Sequence, residues 1–212
     1  MVSQEVDTGS QEILLDAATQ VFLKVGFSGA RVELIAEKAS LNKAMIYYHF
    51  GSKRGLYQAV LLRLFQGVLD EVQRVSPAAD ARMRLIAFYS GVARLFSERP
   101  ALPTLMLREI IGGGENMEAE TARALAGILS FVKQTVEAGV ADGTIRPVHP
   151  LLVHISMMAP LALYFASGDF KSRVLSKASP GALPPTAEEL LEHLALLIER
   201  GLEPTPTDTR SL

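Results

Sequence analysis

Apolar residues recur along most of this chain with the spacing of one face of an α-helix. In residues 11–25 the stripe consists of Ile13, Leu14, Ala17, Ala18, Val21, Phe22 and Val25. This period predicts an amphipathic helix. No segment alternates apolar and polar residues between hairpin signals, as a half-buried strand would. The chain is therefore expected to be all-α.

Helix-capping and helix-ending residues divide the first third of the chain into four predicted helices, over residues 11–25, 32–39, 43–49 and about 53–75. Gly26 can adopt the left-handed conformation that ends the first helix. Asn42 and Ser52 are good acceptors for helix N-terminal amides, so each is expected to cap the helix that follows. The third helix is expected to be anchored by Leu41, Ile46 and Phe50.

Proline and glycine punctuate the rest of the chain. Five further helices are predicted, over residues 80–98, 102–111, 117–142, 150–166 and 187–201. Two proline-containing clusters, Ser179-Pro180-Gly181 and Pro184-Pro185, predict a long loop over residues 167–186. This pattern predicts a small N-terminal domain (1–52), a larger helical domain (53–202) and a disordered polar tail (203–212).

Composition narrows the classes of protein that this chain can represent. Hydrophobic residues make up 49% of its 212 residues, enough for a sizeable core. The absence of cysteine excludes disulfides, thiolate catalysis and cysteine-based zinc sites, and no cofactor or metal is expected. The N-terminal sequence MVSQEVDTGSQE is polar and acidic, and the apolar run from Ile155 to Ala166 is too short to cross a bilayer. A cytoplasmic protein without a membrane segment is expected.

Residues 31–50, RVELIAEKASLNKAMIYYHF, have the pattern of a helix-turn-helix. In such a unit, the N-terminal residues of the second helix approach base edges in the DNA major groove. The formal net charge of the chain is −2, so a basic surface must be local. Between Lys24 and Arg54 there are 6 Lys and Arg residues against 2 Glu residues. This local excess of positive charge suits a surface that faces phosphates.

The first turn of the second helix carries Lys43, Ala44 and Met45. Small or apolar side chains there let the backbone approach the bases and can contact thymine methyl groups. These three residues are therefore the candidates for base recognition. Their side chains can form few hydrogen bonds to bases.

The end of the same helix offers polar groups suited to phosphates, on Tyr47, Tyr48 and His49. Lys53 follows at the start of the next helix, where N-terminal amides also favour an anion. Alternatives remain for single residues. Tyr47 could belong to the half-buried core, and His49 could instead stabilise a helix C-terminus.

Several of these positions together resemble the N-terminal domain of the TetR/AcrR family of transcriptional regulators, over residues 11–60. They are Phe22, Gly26-Phe27, Ile35-Ala36, Ala39, Tyr47, His49-Phe50, Lys53 and Leu56. The resemblance implies three helices that carry the helix-turn-helix, then a helical domain that dimerises and usually binds a small ligand. The positions that match the family's DNA contacts are Arg31, Asn42, Lys43, Ala44, Met45, Tyr47, Tyr48, His49 and Lys53.

Three residues depart from the family pattern. Asn42 replaces the usual Ser or Thr before the third helix and is an equivalent cap. Arg31 replaces the usual Ser or Thr, so it loses a helix cap but can reach a phosphate or a base. Ser40 replaces the usual glycine of the turn, so it is expected to adopt an uncommon backbone conformation at modest cost.

The sequence of the larger domain indicates a helical fold class but few residues with specific chemistry. Residues 150–166 and 187–201 are strongly apolar, and the resemblance implies a homodimer through a four-helix bundle of these segments. The alternative is a core within one chain. Candidate residues for an apolar ligand pocket are Phe88, Tyr89, Phe96, Met106, Arg108, Phe131, His154, Met157, Met158 and Tyr164. Such side chains also occur as plain core, although methionine suits adaptable pockets.

The leading interpretation is a ligand-responsive repressor that binds a palindromic double-stranded DNA operator as a dimer and is released by a small, apolar effector. One alternative is a helix-turn-helix used to bind protein. The other is a helical enzyme, but GxSxG, HExxH, P-loop and GxGxxG motifs are all missing. The histidines, His49, His149, His154 and His193, are scattered. An enzyme is therefore not expected.

Overall fold

A computed structural model describes residues 2–179 and 181–204, without the side chains of residues 2–8 and 169. Within these residues the chain forms ten helices and no strand, which confirms the all-α fold. The helices are α1 Val2–Gly29, α2 Val32–Ala39, α3 Ala44–Phe50, α4 Lys53–Arg74, α5 Ala81–Glu98, α6 Ala101–Ile111, α7 Ala119–Ala141, α8 Pro150–Ala166, α9 Gly168–Ala178 and α10 Ala187–Gly201. Residues 205–212 of the expected tail lie outside the described residues.

Most predicted helix boundaries fall within two residues of the observed ones, but α1 is longer than expected. It begins at Val2 rather than near residue 11, and it is interrupted at Gly26, which has φ 72° and ψ 178°. A positive φ is accessible to glycine at little cost because glycine has no Cβ. The predicted break at Gly26 is therefore confirmed, and one more helical turn follows it.

The prediction of a continuous loop over residues 167–186 is wrong, because α9 occupies its first half. The proline and glycine residues cluster from residue 180 onward, so nothing in Gly168–Ala178 prevents a helix. No single described helix is long and apolar enough to cross a membrane. Pro150–Ala166 and Phe170–Ala178 meet the length and composition criteria only as a pair, across a bend of 84°.

By its internal contacts the described chain forms two compact units. The first contains the residues up to Gly67 together with Pro100–Ala124. The second contains Val68–Arg99 and the residues from Leu125 onward, so α4 and α7 each contribute to both units. The functional division at residue 52 stays a prediction, since compactness alone does not define a functional domain.

The core of the first unit is built around aromatic side chains of α1 and α4. Phe22 and Tyr57 are almost completely buried, and their rings meet edge to face at a centroid distance of 4.7 Å. Ile46 fixes α3 to this core and is fully buried. The two other expected anchors of α3, Leu41 and Phe50, are only half-buried.

The core of the second unit joins α5, α7 and α8. Phe88 lies at its centre, with ring-centroid distances of 5.1 Å to Phe131 and 4.9 Å to Tyr89. Leu194 and Ile198 bury the inner face of α10. The inward positions of α5 and α10 recur at three- and four-residue intervals, as amphipathic helices require.

A buried carboxylate in the second unit fits against a glycine. Glu71 is 4% exposed and accepts hydrogen bonds from Arg94, at 3.0 Å, and from Arg74. A Cβ atom placed on Gly91 would lie 2.3 Å from Oε2 of Glu71. Because such a distance is far below van der Waals contact, a side chain at position 91 would force the Glu71 carboxylate to shift from its place beside Arg94.

Candidate nucleic-acid interface

The turn between α2 and α3 depends on a strained serine. Ser40 has φ 54° and ψ 35°, the left-handed region that was expected for it. Its N–H donates to the carbonyl of Glu37 at 3.0 Å, and the N–H of Leu41 donates to the carbonyl of Ala36 at 3.0 Å. These two bonds satisfy carbonyls at the end of α2, which offsets a backbone cost of roughly 1 kcal/mol.

The start of α3 is organised by Asn42. Its Oδ1 accepts from the N–H of Ala44 at 2.9 Å, and its carbonyl accepts from the N–H of Met45 at 2.9 Å. The helix begins at Ala44 with Lys43 in the N-cap position, so the expected cap is displaced by one residue. The Asn42 side chain nevertheless satisfies one of the first helical amides, as its residue type predicted.

The surface around α3 presents the predicted contact residues together. Asn42, Lys43 and Ala44 are exposed, and Met45 is half-buried beside them. Tyr47 and Tyr48 are 51% and 71% exposed. Arg31 is also exposed and forms no side-chain cap on α2, as expected for arginine in place of Ser or Thr.

Lys43 carries its charge in an exposed ion pair. Its Nζ lies 3.2 Å from Oε1 of Glu33, and both side chains are more than half exposed. A backbone hydrogen bond and the Lys43 ammonium together lower the pKa of Glu33. Exposed pairs of this kind contribute little to stability, so a DNA phosphate can compete with Glu33 for Lys43.

The His49 side chain links α3 to α1 through a hydrogen bond. Its Nε2 lies 2.9 Å from Oγ of Ser10, and its ring contacts Tyr48 at a centroid distance of 5.0 Å. Ser10 is buried, so this hydrogen bond orients α3 against the first helix. A phosphate contact by His49 stays a prediction, alongside this positioning role.

Lys53 has a structural role that the sequence did not indicate. Its Nζ donates to the carbonyls of Phe27 and Ala30, at 3.0 Å each, and lies 4.5 Å from the centroid of the Phe27 ring. Both carbonyls follow the break at Gly26, and that of Phe27 also accepts from the N–H of Ala30 at 3.3 Å. An ammonium has three donors, so one remains for the predicted phosphate contact.

We therefore expect Lys53→Ala to affect both folding and DNA binding. Loss of two charge-assisted hydrogen bonds should lower the free energy of unfolding by about 1.5–3 kcal/mol, measured by urea denaturation. If Lys53 also neutralises a phosphate, the slope of log K against log salt should fall by about one unit per subunit. Lys24→Ala, which removes an exposed lysine of α1, is the control for stability. Unchanged stability of Lys53→Ala would contradict the carbonyl contacts.

Two adjacent residues of α6 form hydrogen bonds to other helices of the first unit. Arg108, a predicted ligand residue, donates from Nη1 to the carbonyl of Phe22 in α1 at 2.8 Å. Glu109 is buried, and its Oε1 accepts from the Tyr57 hydroxyl at 2.5 Å and from Nδ2 of Asn116 at 3.2 Å. Burial and the neighbouring Glu109 raise the pKa of Tyr57, so Tyr57 remains a neutral donor. Polar contacts of α6 thus hold α1 and α4 in place.

The predicted ligand residues are divided between the two units. Met106 and Arg108 lie in the first unit, whereas the other eight lie in the second. Phe88, Tyr89, Phe131 and His154 form a contact chain there, in which the Tyr89 hydroxyl lies 3.2 Å from Nδ1 of His154.

The remaining candidates of the second unit have separate surroundings. Met157 and Met158 are buried on α8, and Phe96 packs edge to face on Phe165 at a centroid distance of 6.0 Å. The Tyr164 hydroxyl donates to the carbonyl of Pro185 at 2.6 Å. Of the ten candidates, only His154 lines the described groove between α7 and α8.

Comparison with known proteins agrees with the helix-turn-helix geometry. Residues 14–60 match the family described as bacterial regulatory proteins, tetR family. The HTH-type transcriptional repressor NicS of Pseudomonas putida is 30% identical over 166 residues, which cover 77% of each chain. The HTH-type transcriptional regulator RutR of Escherichia coli K12 is 24% identical over 68% of each chain. The chain belongs to the TetR family of transcriptional regulators.

Solved structures show the same fold over nearly the whole chain. A TetR family regulator from Marinobacter aquaeolei VT8 superposes with a TM-score of 0.72 at 22% identity, covering 97% of this chain and 100% of that one. The regulator FadR from Bacillus subtilis, solved with stearoyl-CoA, gives a TM-score of 0.71 at 16% identity, with coverage of 91% and 99%. The helical region beyond the helix-turn-helix therefore also has the fold of this family.

Proposed function

We propose that this protein is a cytoplasmic, homodimeric repressor that binds a palindromic operator through α3 and is released by a small effector. The observation that carries the proposal is the exposed start of α3, where Lys43 and Ala44 reach solvent on a helix that Ile46 anchors in the core. Such a helix can enter a major groove without unfolding its own domain. The description of the relative NicS as a repressor supports repression over activation.

In this proposal the two ends of α3 have different tasks. Ala44 and Met45 face the bases, where apolar atoms can contact thymine methyl groups. Lys43, Tyr47 and Tyr48 bind phosphates, which sets the register of the protein on the duplex. With so few hydrogen-bond donors near the bases, DNA shape and the spacing of two half-sites supply part of the specificity.

Exposed apolar side chains on α8 and α10 support the dimer. Leu152, Ile155 and Leu163 of α8 are 60%, 52% and 63% exposed, and Leu196 and Leu197 of α10 are 48% and 47% exposed. On α8 these positions are separated by three and eight residues, so they share one face. An apolar face of this kind marks an interaction surface, and a two-fold dimer presents two copies of α3 to a palindrome.

In this proposal the effector acts by shifting the equilibrium between two conformations of the protein. It binds better to a conformation in which the two copies of α3 no longer match successive major grooves, and α4 transmits the change. The apolar interior of the second unit favours an effector with an apolar body. Nothing in the described site favours an enzyme, and no group of three or more acidic or histidine side chains in the described residues could hold a metal ion.

Footprinting the purified protein on the DNA that flanks its own gene tests the proposed function. We expect a protected region with two-fold symmetric half-sites about one helical turn apart. Binding should weaken steeply with salt but retain its sequence preference. If no specific complex forms at any salt concentration, with this DNA or in a random-sequence selection, the helix-turn-helix would instead be a protein-binding module.

A further inference from the structure

A groove of about 560 Å³ runs between α7 and α8, entirely within the second unit. Its α7 wall is formed by residues spaced along one helical face: Ala126, Leu129, Ser130, Val132, Lys133 and Glu137. Its α8 wall is formed by His149, Pro150, Leu151 and His154. This volume falls within the range of small-molecule sites in proteins, roughly 300–1,000 Å³.

His154 gives the groove a buried polar group. The residue is only 9% exposed, and its Nδ1 lies 3.2 Å from the Tyr89 hydroxyl. Burial lowers the pKa of His154 and raises the pKa of Tyr89, so near pH 7 the imidazole is neutral and the phenol keeps its proton. The phenol then donates to Nδ1, which places the imidazole hydrogen on Nε2. In the described residues Nε2 has no hydrogen-bond partner, so this N–H can serve a ligand.

Two residues of α7 add donors to the same groove. Ser130 Oγ accepts from Nε2 of Gln134 at 3.2 Å, which leaves its own O–H able to donate. Lys133 Nζ lies 3.9 Å from Oε1 of Glu137, at the limit of an ion pair, and its side chain is 65% exposed. A loosely held ammonium of this kind can turn toward an anion without losing a strong contact.

The rest of the lining limits what such an anion can be. Five of the lining residues are apolar: Ala126, Leu129, Val132, Pro150 and Leu151. The Glu137 carboxylate, one turn beyond Lys133, disfavours a second negative group at that end of the groove. The groove therefore matches a ligand with one acceptor group and an apolar body.

We propose that this groove binds a small monocarboxylic acid, with the carboxylate held by His154, Ser130 and Lys133 and the apolar body against Leu129 and Leu151. This site would be the effector site, a role that rests on the proposed function. The assignment differs from a pocket in the aromatic core, because Phe88 and Phe96 are fully buried and neither lines the groove. In this assignment the groove recognises the carboxylate of the effector, whereas the sequence predicted only that the effector is apolar.

Calorimetric titration of the full-length protein with octanoate tests the proposal, with 1-octanol and suberate as probes of the same length that lack the charge or carry a second one. We expect one octanoate per subunit, with both other probes at least about tenfold weaker, the factor that one charge-assisted hydrogen bond supplies. Lys133→Gln and Ser130→Ala should each weaken octanoate about tenfold and leave 1-octanol unchanged. Lys177→Gln removes an exposed lysine of α9 and should change neither affinity.

Nitrogen-15 NMR of the imidazoles adds an independent readout, since octanoate should shift the Nε2–H resonance of His154. Equal octanoate affinity in the wild type, Lys133→Gln and Ser130→Ala, or no binding at all, would overturn the groove assignment. Operator binding by the ligand-free protein tests the proposed function separately. Specific DNA binding without octanoate binding would overturn only the groove, and octanoate binding without any change in operator affinity would overturn its role as the effector site.

Discussion

Glutamate in place of Ala44 is expected to lower operator affinity about a thousandfold while the protein stays folded. Ala44 is exposed at the first position of α3, so the larger side chain meets no neighbour in the core. A carboxylate at a helix N-terminus also interacts favourably with the helix dipole. On DNA, however, the same carboxylate would face base acceptors and phosphates, and unfavourable juxtaposition of like charge costs about several kcal/mol.

The matched control for this substitution is Ala122→Glu. Ala122 is also an exposed alanine in the first turn of a helix, α7, and the change adds the same charge. Fluorescence anisotropy with labelled operator should show near wild-type affinity for Ala122→Glu, with both variants keeping the wild-type melting temperature. Near wild-type affinity of Ala44→Glu would show that the first turn of α3 does not enter the groove.

Ile155→Glu is expected to convert the protein to a monomer and to reduce operator binding to that of single half-sites. Ile155 is 52% exposed on α8, in line with Leu152 and Leu163. In a two-fold interface each substitution places two carboxylates in an apolar contact, at a cost of roughly several kcal/mol per dimer. Sedimentation velocity at micromolar concentration would report the loss of the dimer.

Ile110→Glu provides the comparison for Ile155→Glu, because Ile110 is similarly exposed (60%) but belongs to α6. It should remain dimeric and bind the full operator. The affinity ratio between a complete palindrome and one half-site should approach one for Ile155→Glu, whereas for the control it should stay large. A dimeric Ile155→Glu would place the interface elsewhere than on α8.

Local chemistry explains the parts of this fold that the sequence predicted well. The bounds of α2 follow from its apolar period and the turn at Ser40, and Ser52 caps α4 by accepting from the N–H of Gly55 at 3.0 Å. Asn42 acts within two residues of its own position. Each of these features depends on residues a few positions apart, and such contacts are visible in a sequence.

Contacts between distant parts of the chain were not predictable in the same way. Lys53 reaches carbonyls 23 and 26 residues earlier, and Tyr57 meets Glu109 across 52 residues. Residue type indicated a charge or a hydroxyl, but packing decided which acceptor lay nearby. For the same reason an aromatic such as Phe88 could not be assigned to core or pocket before its surroundings were known.

The fit between Glu71 and Gly91 has a consequence for how this protein can change over evolutionary time. Any side chain at position 91 displaces the Glu71 carboxylate, and any shortening of Glu71 leaves Arg94 without its buried acceptor. Substitutions at the two positions should therefore arise together, with larger residues at 91 accompanied by small or apolar ones at 71. Among relatives of this protein, the residues at positions 71 and 91 should therefore covary.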